Sequence, residues 1–532
     1  MIREEIKNLI EKTIKKLQKE EVFPIFEIPE ITIEFPRDKN NGDYSSNIAF
    51  QLSKVTKRSP SELSKELSSA IFNLPEARLL FKSITGEASG FVNFFISDDY
   101  LRESVKEILK QKHGFGGLNI GKAEKVNIEF VSANPTGPLT LGNGRGGFCG
   151  DVLANVLEKA GHQVTREYYI NDQGEQIIKL GHSVLGDSEA VYKGEYIKEL
   201  RKKVGGGDAK EVGGKAAKII LDKMIKPTIK RMGIKFDVWF PEKNLYNRGE
   251  IEEAIKEFTK KGFTYKSEGA VWFKSKELED DKDRVLVRAD RIRTYFASDI
   301  AYLKNKIERG FKKIILFLGA DHYGYVARLK AAAHVLGFDK ENLNAIVMQM
   351  VRLFENGKEV KMSKRAGTYI TLDELLDEVG LDVTRFFFLQ RSADTHLNFD
   401  LNLAKEQSQK NPVYYIQYAH ARICSILRKA GIFLRFKKPN FALLKESQEL
   451  DLVRQLIKLP EIIEDTAKDY QVQRLPQYAI DLADSFHKFY ENCRVIDKDK
   501  NLSASRLGLI QATKIVLKNT LYLMGISAPE KM

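Results

Sequence analysis

The chain has 532 residues, 43% of them hydrophobic and 30% charged, enough for about three domains that each bury a core of their own. Its three cysteines, Cys149, Cys424 and Cys493, are far apart and form no CxxC or Cys/His spacing. That argues against a disulfide framework or a structural zinc site and fits a reducing, cytoplasmic setting. The net charge of +13 favours a polyanionic partner, because clustered Lys and Arg gain affinity by displacing counterions from phosphates.

The first segment, MIREEIKNLIEKTIKKLQKE, is charged and helical in period. It lacks the apolar core of a signal peptide, and no run of about 18 apolar residues follows, so neither secretion nor a membrane span is expected. Residues 1–115 mix helical patterns with a Gly/Asn/Asp turn at 39–43, a strand-like run at 90–95 and a closing turn at 114–117, which predicts a small α+β domain. From 116 to 404, short β-branched or aromatic runs alternate with helical patterns, the signature of a parallel sheet with crossover helices. A charged, glycine-containing stretch at 188–235 breaks this rhythm and reads as an insertion. Residues 405–532 keep only helical periodicity, over 415–429, 452–468, 476–492 and 505–523, and predict a helical bundle. This last part carries 21 Lys and Arg against 14 Asp and Glu, about half of the net charge, which directs nucleic-acid contact toward it.

The densest stretch is VNIEFVSANPTGPLTLGNGRGGFCGDVLANVLEKAG at 126–161. Val126, Ile128 and Phe130 alternate with Asn127 and Glu129, so a strand presents one apolar and one polar face. After the turn at 133–138, Gly142, Gly144, Gly146 and Gly147 lead into a helix whose Phe148, Val152, Val156 and Ala160 share a face, with Gly161 as its stop. Glycines beside a helix N-terminus let backbone N–H groups approach an anion. A bare glycine cluster more often marks a tight strand-to-helix connection. Here the strand at 164–170 completes a βαβ unit, with the loop at the carboxyl edge where ligands bind. A second basic loop, KMSKRAG, follows the hairpin signal Asn356-Gly357. Its Lys361 and Lys364 are point charges able to follow a pyrophosphate as negative charge builds on it.

Further along, Gly319-Ala320-Asp321-His322 lies between an apolar strand at 314–318 and a helix at 326–336. A strand-end Asp321 suits a ribose hydroxyl, and His322 or Tyr323 could line an amino-acid or adenosine pocket. Asn171, Asp172 and Gln176 end another strand with no clear role. Tyr295 and Asp299, four apart, can share a helix face. Tyr414, Tyr415, Tyr418, His420, Arg422 and Arg428 interleave aromatics with cations, which suits stacking on unpaired bases and equally suits the core of a bundle.

In their order and spacing these segments resemble class I aminoacyl-tRNA synthetases and, over essentially the whole chain, the arginyl-tRNA synthetase family. The likeness runs through FVSANPTGPL, YYINDQGEQI, DDKDRVLVRAD, TYFASDIAY, LGADHYGYVARLKAA, MVRLFENGKEVKMSKRAG, DVTRFFFLQRSADTHLNFDLNLAKEQSQKNPVYYIQYAHARI and LMGISAPEKM. It implies an α/β chain: a class I Rossmann-type parallel-sheet catalytic domain, an N-terminal domain touching the outer corner of tRNA, and an all-α anticodon-binding bundle. It also implies a monomeric, cytoplasmic enzyme that activates L-arginine with ATP and Mg2+ and transfers it to the 3′-terminal ribose of tRNA(Arg). The family's first ATP motif, usually His-x-Gly-His, falls on Thr140-Leu141-Gly142-Asn143. Both histidines are replaced by Thr and Asn, which keep hydrogen-bonding groups and resemble the tryptophanyl enzymes. The second motif falls on Lys361, Met362, Ser363 and Lys364, with Arg365 in place of the general class's final Ser.

By the same resemblance, Thr140, Asn143, Lys361 and Lys364 are the catalytic set, and Gly142, Gly319, Asp321 and His322 complete the ATP site. Glu129, Asn134, Tyr295, Asp299 and Tyr323 take arginine, whose planar guanidinium calls for carboxylates and whose α-amine calls for a polar group. Tyr414, Tyr418 and Arg422 meet tRNA. The rival readings are a non-catalytic tRNA-binding paralogue with the same fold and another nucleotidyltransferase of the superfamily.

Overall fold

Helix Ile2–Lys19 buries Ile6, Leu9, Ile10, Ile14 and Leu17, which recur at three- and four-residue spacing. It packs with a four-stranded antiparallel sheet whose strands run in the order Ile33–Glu34, Tyr44–Ser46, Val92–Ile96, Phe81–Gly86. The turn before the second strand needs Gly42, where φ is +87° and a Cβ would stand 2.7 Å from the Phe94 carbonyl oxygen. The computed structural model describes residues 1–320, 324–360, 371–431 and 438–532.

The central sheet has five parallel strands: β1 Lys125–Glu129, β2 Gln163–Ile170, β3 Val238–Pro241, β4 Lys313–Gly319 and β5 Leu343–Met348. Their spatial order is 3-2-1-4-5, so the winding direction reverses at β1 and opens a crevice beside β4 at the carboxyl ends. Helix α1, Leu141–Lys159, joins β1 to β2. It starts earlier than the sequence implied, and the four glycines lie inside it rather than ahead of it. Two of them, and Gly150 further along, serve close packing: a Cβ at Gly144 would stand 2.7 Å from Leu372, one at Gly147 2.6 Å from Met232, and one at Gly150 2.4 Å from Phe130. Gly146 faces open space, and Gly142 meets only the Thr140 hydroxyl. Helices α2, Tyr295–Glu308, and α3, Tyr325–Val335, flank β4. The segment at 188–235 folds as helices Glu195–Val204, Ala209–Ile220 and Lys226–Arg231 between β2 and β3.

The C-terminal part is helical, with α4 Pro412–Lys429, α5 Arg474–Asn492 and α6 Lys500–Leu523. The run expected at 452–468 is two helices, Ser447–Leu456 and Leu459–Asp469. Pro460 has no N–H to offer a preceding turn and sits in the first turn of the second helix, so the chain breaks ahead of it. The three cysteines are free and buried. Among the described residues no helix is long and apolar enough to cross a membrane.

Candidate active site

A cavity of about 530 Å³ opens at the carboxyl ends of β1 and β4, where the sheet reverses direction. Glu129, Asn134, Tyr295 and Asp299 all line it; Tyr323 lies outside the described residues. Glu129 closes β1, and the chain then turns through Val131 at φ +65° and Ser132 at φ +35°. Left-handed backbone at a β-branched residue is costly and is kept where surrounding structure demands it. Here it lets the Ser132 hydroxyl donate to Glu129 Oε1 at 3.0 Å while accepting from the Tyr169 N–H at 3.0 Å. The turn delivers Asn134 to the cavity wall. On α2, Tyr295 and Asp299 share a face as the four-residue spacing required, and the Tyr295 hydroxyl accepts from the Glu175 N–H at 3.0 Å.

The same face of α2 continues through Tyr302 and Lys306, which also line the cavity, to Arg309 just beyond the helix. Lys306 is only 1% exposed and donates to Glu129 Oε2 at 2.6 Å. Arg309 grips Glu167 with two hydrogen bonds of 2.7 Å, and Tyr302 and Asn127 donate to the same carboxylate. Burial pushes the Glu167 carboxyl up, but Arg309, Lys306 and Tyr302 together hold it below the ordinary range. The polar face of β1 is therefore an interior network rather than a solvated edge.

Two further carboxyl groups line the cavity without an ion pair to a described residue. Asp299 forms no hydrogen bond or ion pair with another described residue. Burial, and then the charges of Glu242 and Glu129, raise its pKa well above the usual range, with Arg328 offsetting part. Glu242 is pushed up to about 7, first by burial and also by the charge of Asp172, with Ser298 and Tyr169 offsetting part. With its NH2 turned toward Glu242, the Asn171 side chain donates to Oε2 at 2.8 Å. Glu129, Glu242 and Asp299 thus face a space whose one lining ammonium among the described residues, Lys306, is already paired. Such a space favours a cationic ligand.

Sequence reasoning passed over Glu242, Lys306, Glu167 and Arg309. Glu242 directly follows β3, so the strand-end rule that drew attention to Asn171 applies to it as well. The spacing 295, 299, 302, 306, 309 is a helical stripe visible in the sequence.

Beside the cavity, Thr140 caps the N-terminus of α1. Its hydroxyl accepts from the Asn143 N–H at 3.4 Å, while Asn143 Oδ1 accepts from the Thr140 N–H at 3.0 Å and from its hydroxyl at 2.8 Å. The two residues standing where the motif histidines are expected are thus bonded to each other as a capping box. Gly142, exposed next to them, leaves the positive helix end approachable. Thr371 bridges Thr140, and the Leu372 N–H donates to the Leu139 carbonyl at 3.0 Å. The chain that follows the KMSKR motif is therefore anchored at this same helix end. On the other side of the motif the expected hairpin forms, with Asn356 at φ +51° and Gly357 at φ +73° between Val351–Glu355 and Lys358–Glu359. Lys361, Met362, Ser363, Lys364 and Arg365 lie outside the described residues, as do Asp321 and His322. Gly319 ends β4 at the cavity.

On the bundle, the Tyr414 and Tyr418 rings stack at 6.4 Å, and the Arg422 guanidinium lies 5.0 Å from the Tyr418 ring centre and 5.4 Å from that of Tyr490. These side chains are partly exposed. His420, considered with them from sequence, belongs to the core: it is fully buried, with Nδ1 2.8 Å from the Pro529 carbonyl.

A doubly wound sheet in this strand order, a capped helix N-terminus at the switch point and an acidic cavity beside it fit a class I aminoacyl-tRNA synthetase catalytic domain, and the family profile shows that class. The family profile described as "tRNA synthetases class I (R), catalytic domain" matches residues 104–189 and 183–394. "Arginyl tRNA synthetase N terminal domain" matches 4–96 and "DALR anticodon binding domain" matches 416–532. An arginine–tRNA ligase of Bacillus licheniformis is 43% identical, covering 100% of both chains. One of Carboxydothermus hydrogenoformans is 44% identical over 94% of each. The chain belongs to the arginine–tRNA ligase family. The solved arginyl-tRNA synthetase of Thermus thermophilus, 21% identical, covers 100% of both chains with a TM-score of 0.79 and shares the fold.

Proposed function

We propose that the acidic cavity is the arginine site of an arginine–tRNA ligase and that the first turn of α1, with Gly319, Asp321, His322 and the segment 361–364, is its ATP site. The observation that carries this reading is the convergence of Glu129, Asp299 and Glu242 on one cavity with Asn134 and Tyr295. A planar guanidinium can be met by carboxylates from two sides, and Asn134 offers a polar group to the α-amine. Other side chains leave those carboxylates unpaired, which rejects them without an editing site.

In the first step the arginine carboxylate attacks the α-phosphorus of ATP. The bond to the bridging oxygen breaks, and pyrophosphate leaves as arginyl-adenylate forms. In the second, a hydroxyl of the terminal tRNA ribose attacks the adenylate carbonyl, loses its proton and expels AMP. The chain contributes position and charge. The N–H groups at the start of α1 face phosphate, Lys361 and Lys364 follow the departing pyrophosphate, and Asp321 holds ribose. Tyr323 borders the arginine. Mg2+ bound to the ATP phosphates would neutralise part of their charge. Residues 1–115 contact tRNA, residues 116–404 carry the chemistry, and residues 405–532 read the anticodon, with Tyr414, Tyr418 and Arg422 stacking on its bases.

ATP–pyrophosphate exchange with arginine and tRNA present tests the proposal. Arginine-dependent exchange is expected. Folded protein that binds tRNA without exchange would instead be the non-catalytic paralogue, and exchange driven by another amino acid would remove the arginine assignment.

A further inference from the structure

A second concave site lies at the far end of α1. There α1, the turn Lys112–Gly114 and α6 enclose a cavity of about 730 Å³. That is within the roughly 300–1,000 Å³ usual for small-ligand sites, which favour domain junctions. The 19 residues of α1, at about 1.5 Å each, put it about 28 Å from Thr140, on the opposite edge of the sheet from the arginine cavity. Its walls are fastened together. The Asn519 amide donates to the carbonyls of Lys112 at 3.0 Å and Phe115 at 3.1 Å, and Asn155 donates to the Leu523 carbonyl at 3.0 Å.

The charge of this cavity is opposite to that of the arginine site. Lys112, Lys159, Lys514 and Lys518 line it, with Glu158 the one carboxylate among the lining residues. Glu158 is taken by Arg166 at 2.6 Å, and Lys514 by Glu530 at 2.9 Å. Lys159 donates to the carbonyl oxygens of His113 and Gly114, at 2.8 and 3.3 Å. Neither Lys112 nor Lys518 forms an ion pair with a described residue. Lys112 and Lys159 thus line the cavity without a described carboxylate paired to them, while Lys518 shares the charge of Glu530 with Lys514. Tyr522, 77% exposed, offers an aromatic face among the same lining residues.

We propose that this cavity binds a nucleoside diphosphate, its phosphates among Lys112, Lys159 and Lys518 and its base against Tyr522. Point charges suit phosphate, and an aromatic ring accepts any base because every base has a π-face. The cations meet in one cleft rather than along an open track, which favours a small ligand over a strand of RNA.

The test is calorimetric titration of GDP into the full-length protein, with the active site saturated by L-arginine and a non-hydrolysable ATP analogue. One further binding event is expected. A Lys112→Glu/Lys518→Glu double variant, and separately Tyr522→Ala, should each weaken it by at least about tenfold. Circular dichroism, tRNA affinity and arginine-dependent exchange without GDP should stay at the parent values. Absence of GDP binding by the folded parent, or binding unchanged in either variant, overturns the proposal. So does a loss of tRNA affinity in the double variant, which would make the cleft an RNA contact.

Discussion

Replacing Glu242 by glutamine tests the electrostatics of the arginine cavity directly. In the ligand-free fold this carboxyl is pushed from 4.5 up to about 7. At about 1.36 kcal/mol per pH unit, ionising it there costs about 3 kcal/mol more than in the unfolded chain. A carboxyl whose pKa is raised by folding binds more protons folded than unfolded, so its presence destabilises progressively as pH climbs from 4.5 through about 7. Glutamine has the same shape, still accepts from the Asn171 amide and never ionises. Glu242→Gln should therefore match the parent near pH 4.5 and exceed it by up to about 3 kcal/mol near pH 8.5. Arginine affinity should fall at the same time, since a stabilising loss of charge in a binding site removes an interaction with its ligand. The assay is urea unfolding followed by the fluorescence of Trp239, on β3 three residues away, and Trp272. A variant no more stable than the parent near pH 8.5 would refute the argument, because the carboxylate would then be well satisfied without ligand.

The raised carboxyls also set a pH dependence for binding: below about 7 arginine must displace a proton from Glu242, and the raised Asp299 carboxyl acts in the same direction, so affinity should fall with acidity. Calorimetry in buffers of different ionisation enthalpy should show proton release near pH 7, and none would contradict the assignment. Thr140→Ala removes the capping box of α1 and should cost about 1 kcal/mol of stability in thermal unfolding. Lys364→Ala should lower pyrophosphate exchange by about a hundredfold or more with tRNA binding nearly intact; equal loss of both would make the lysine structural. Arg422→Ala should weaken tRNA binding and leave arginine binding unchanged, whereas a loss of helical content would assign Arg422 to the bundle core instead.

Much of this protein was legible in one dimension. The alternation at 126–130 and the apolar spacing at 148–160 describe β1 and α1, because strand and helix periodicities are local consequences of backbone geometry. The pair Tyr295 and Asp299 faces the cavity because residues four apart on a helix must lie together. Other features needed the fold. Only the register of β1 between β2 and β4 shows that Asn127 meets Glu167. Only the packing of α2 shows that Lys306 already occupies Glu129. The glycines of α1 look like a phosphate loop in sequence, yet several are there because neighbours leave no room for a Cβ. His420 and Tyr418 carry the same helical spacing signal, and burial alone assigns one to the core and the other to a partly exposed patch. Periodicity specifies which residues share a face. What that face meets, and so whether a carboxyl there is paired, strained or waiting for a cation, depends on contacts between residues far apart in the chain.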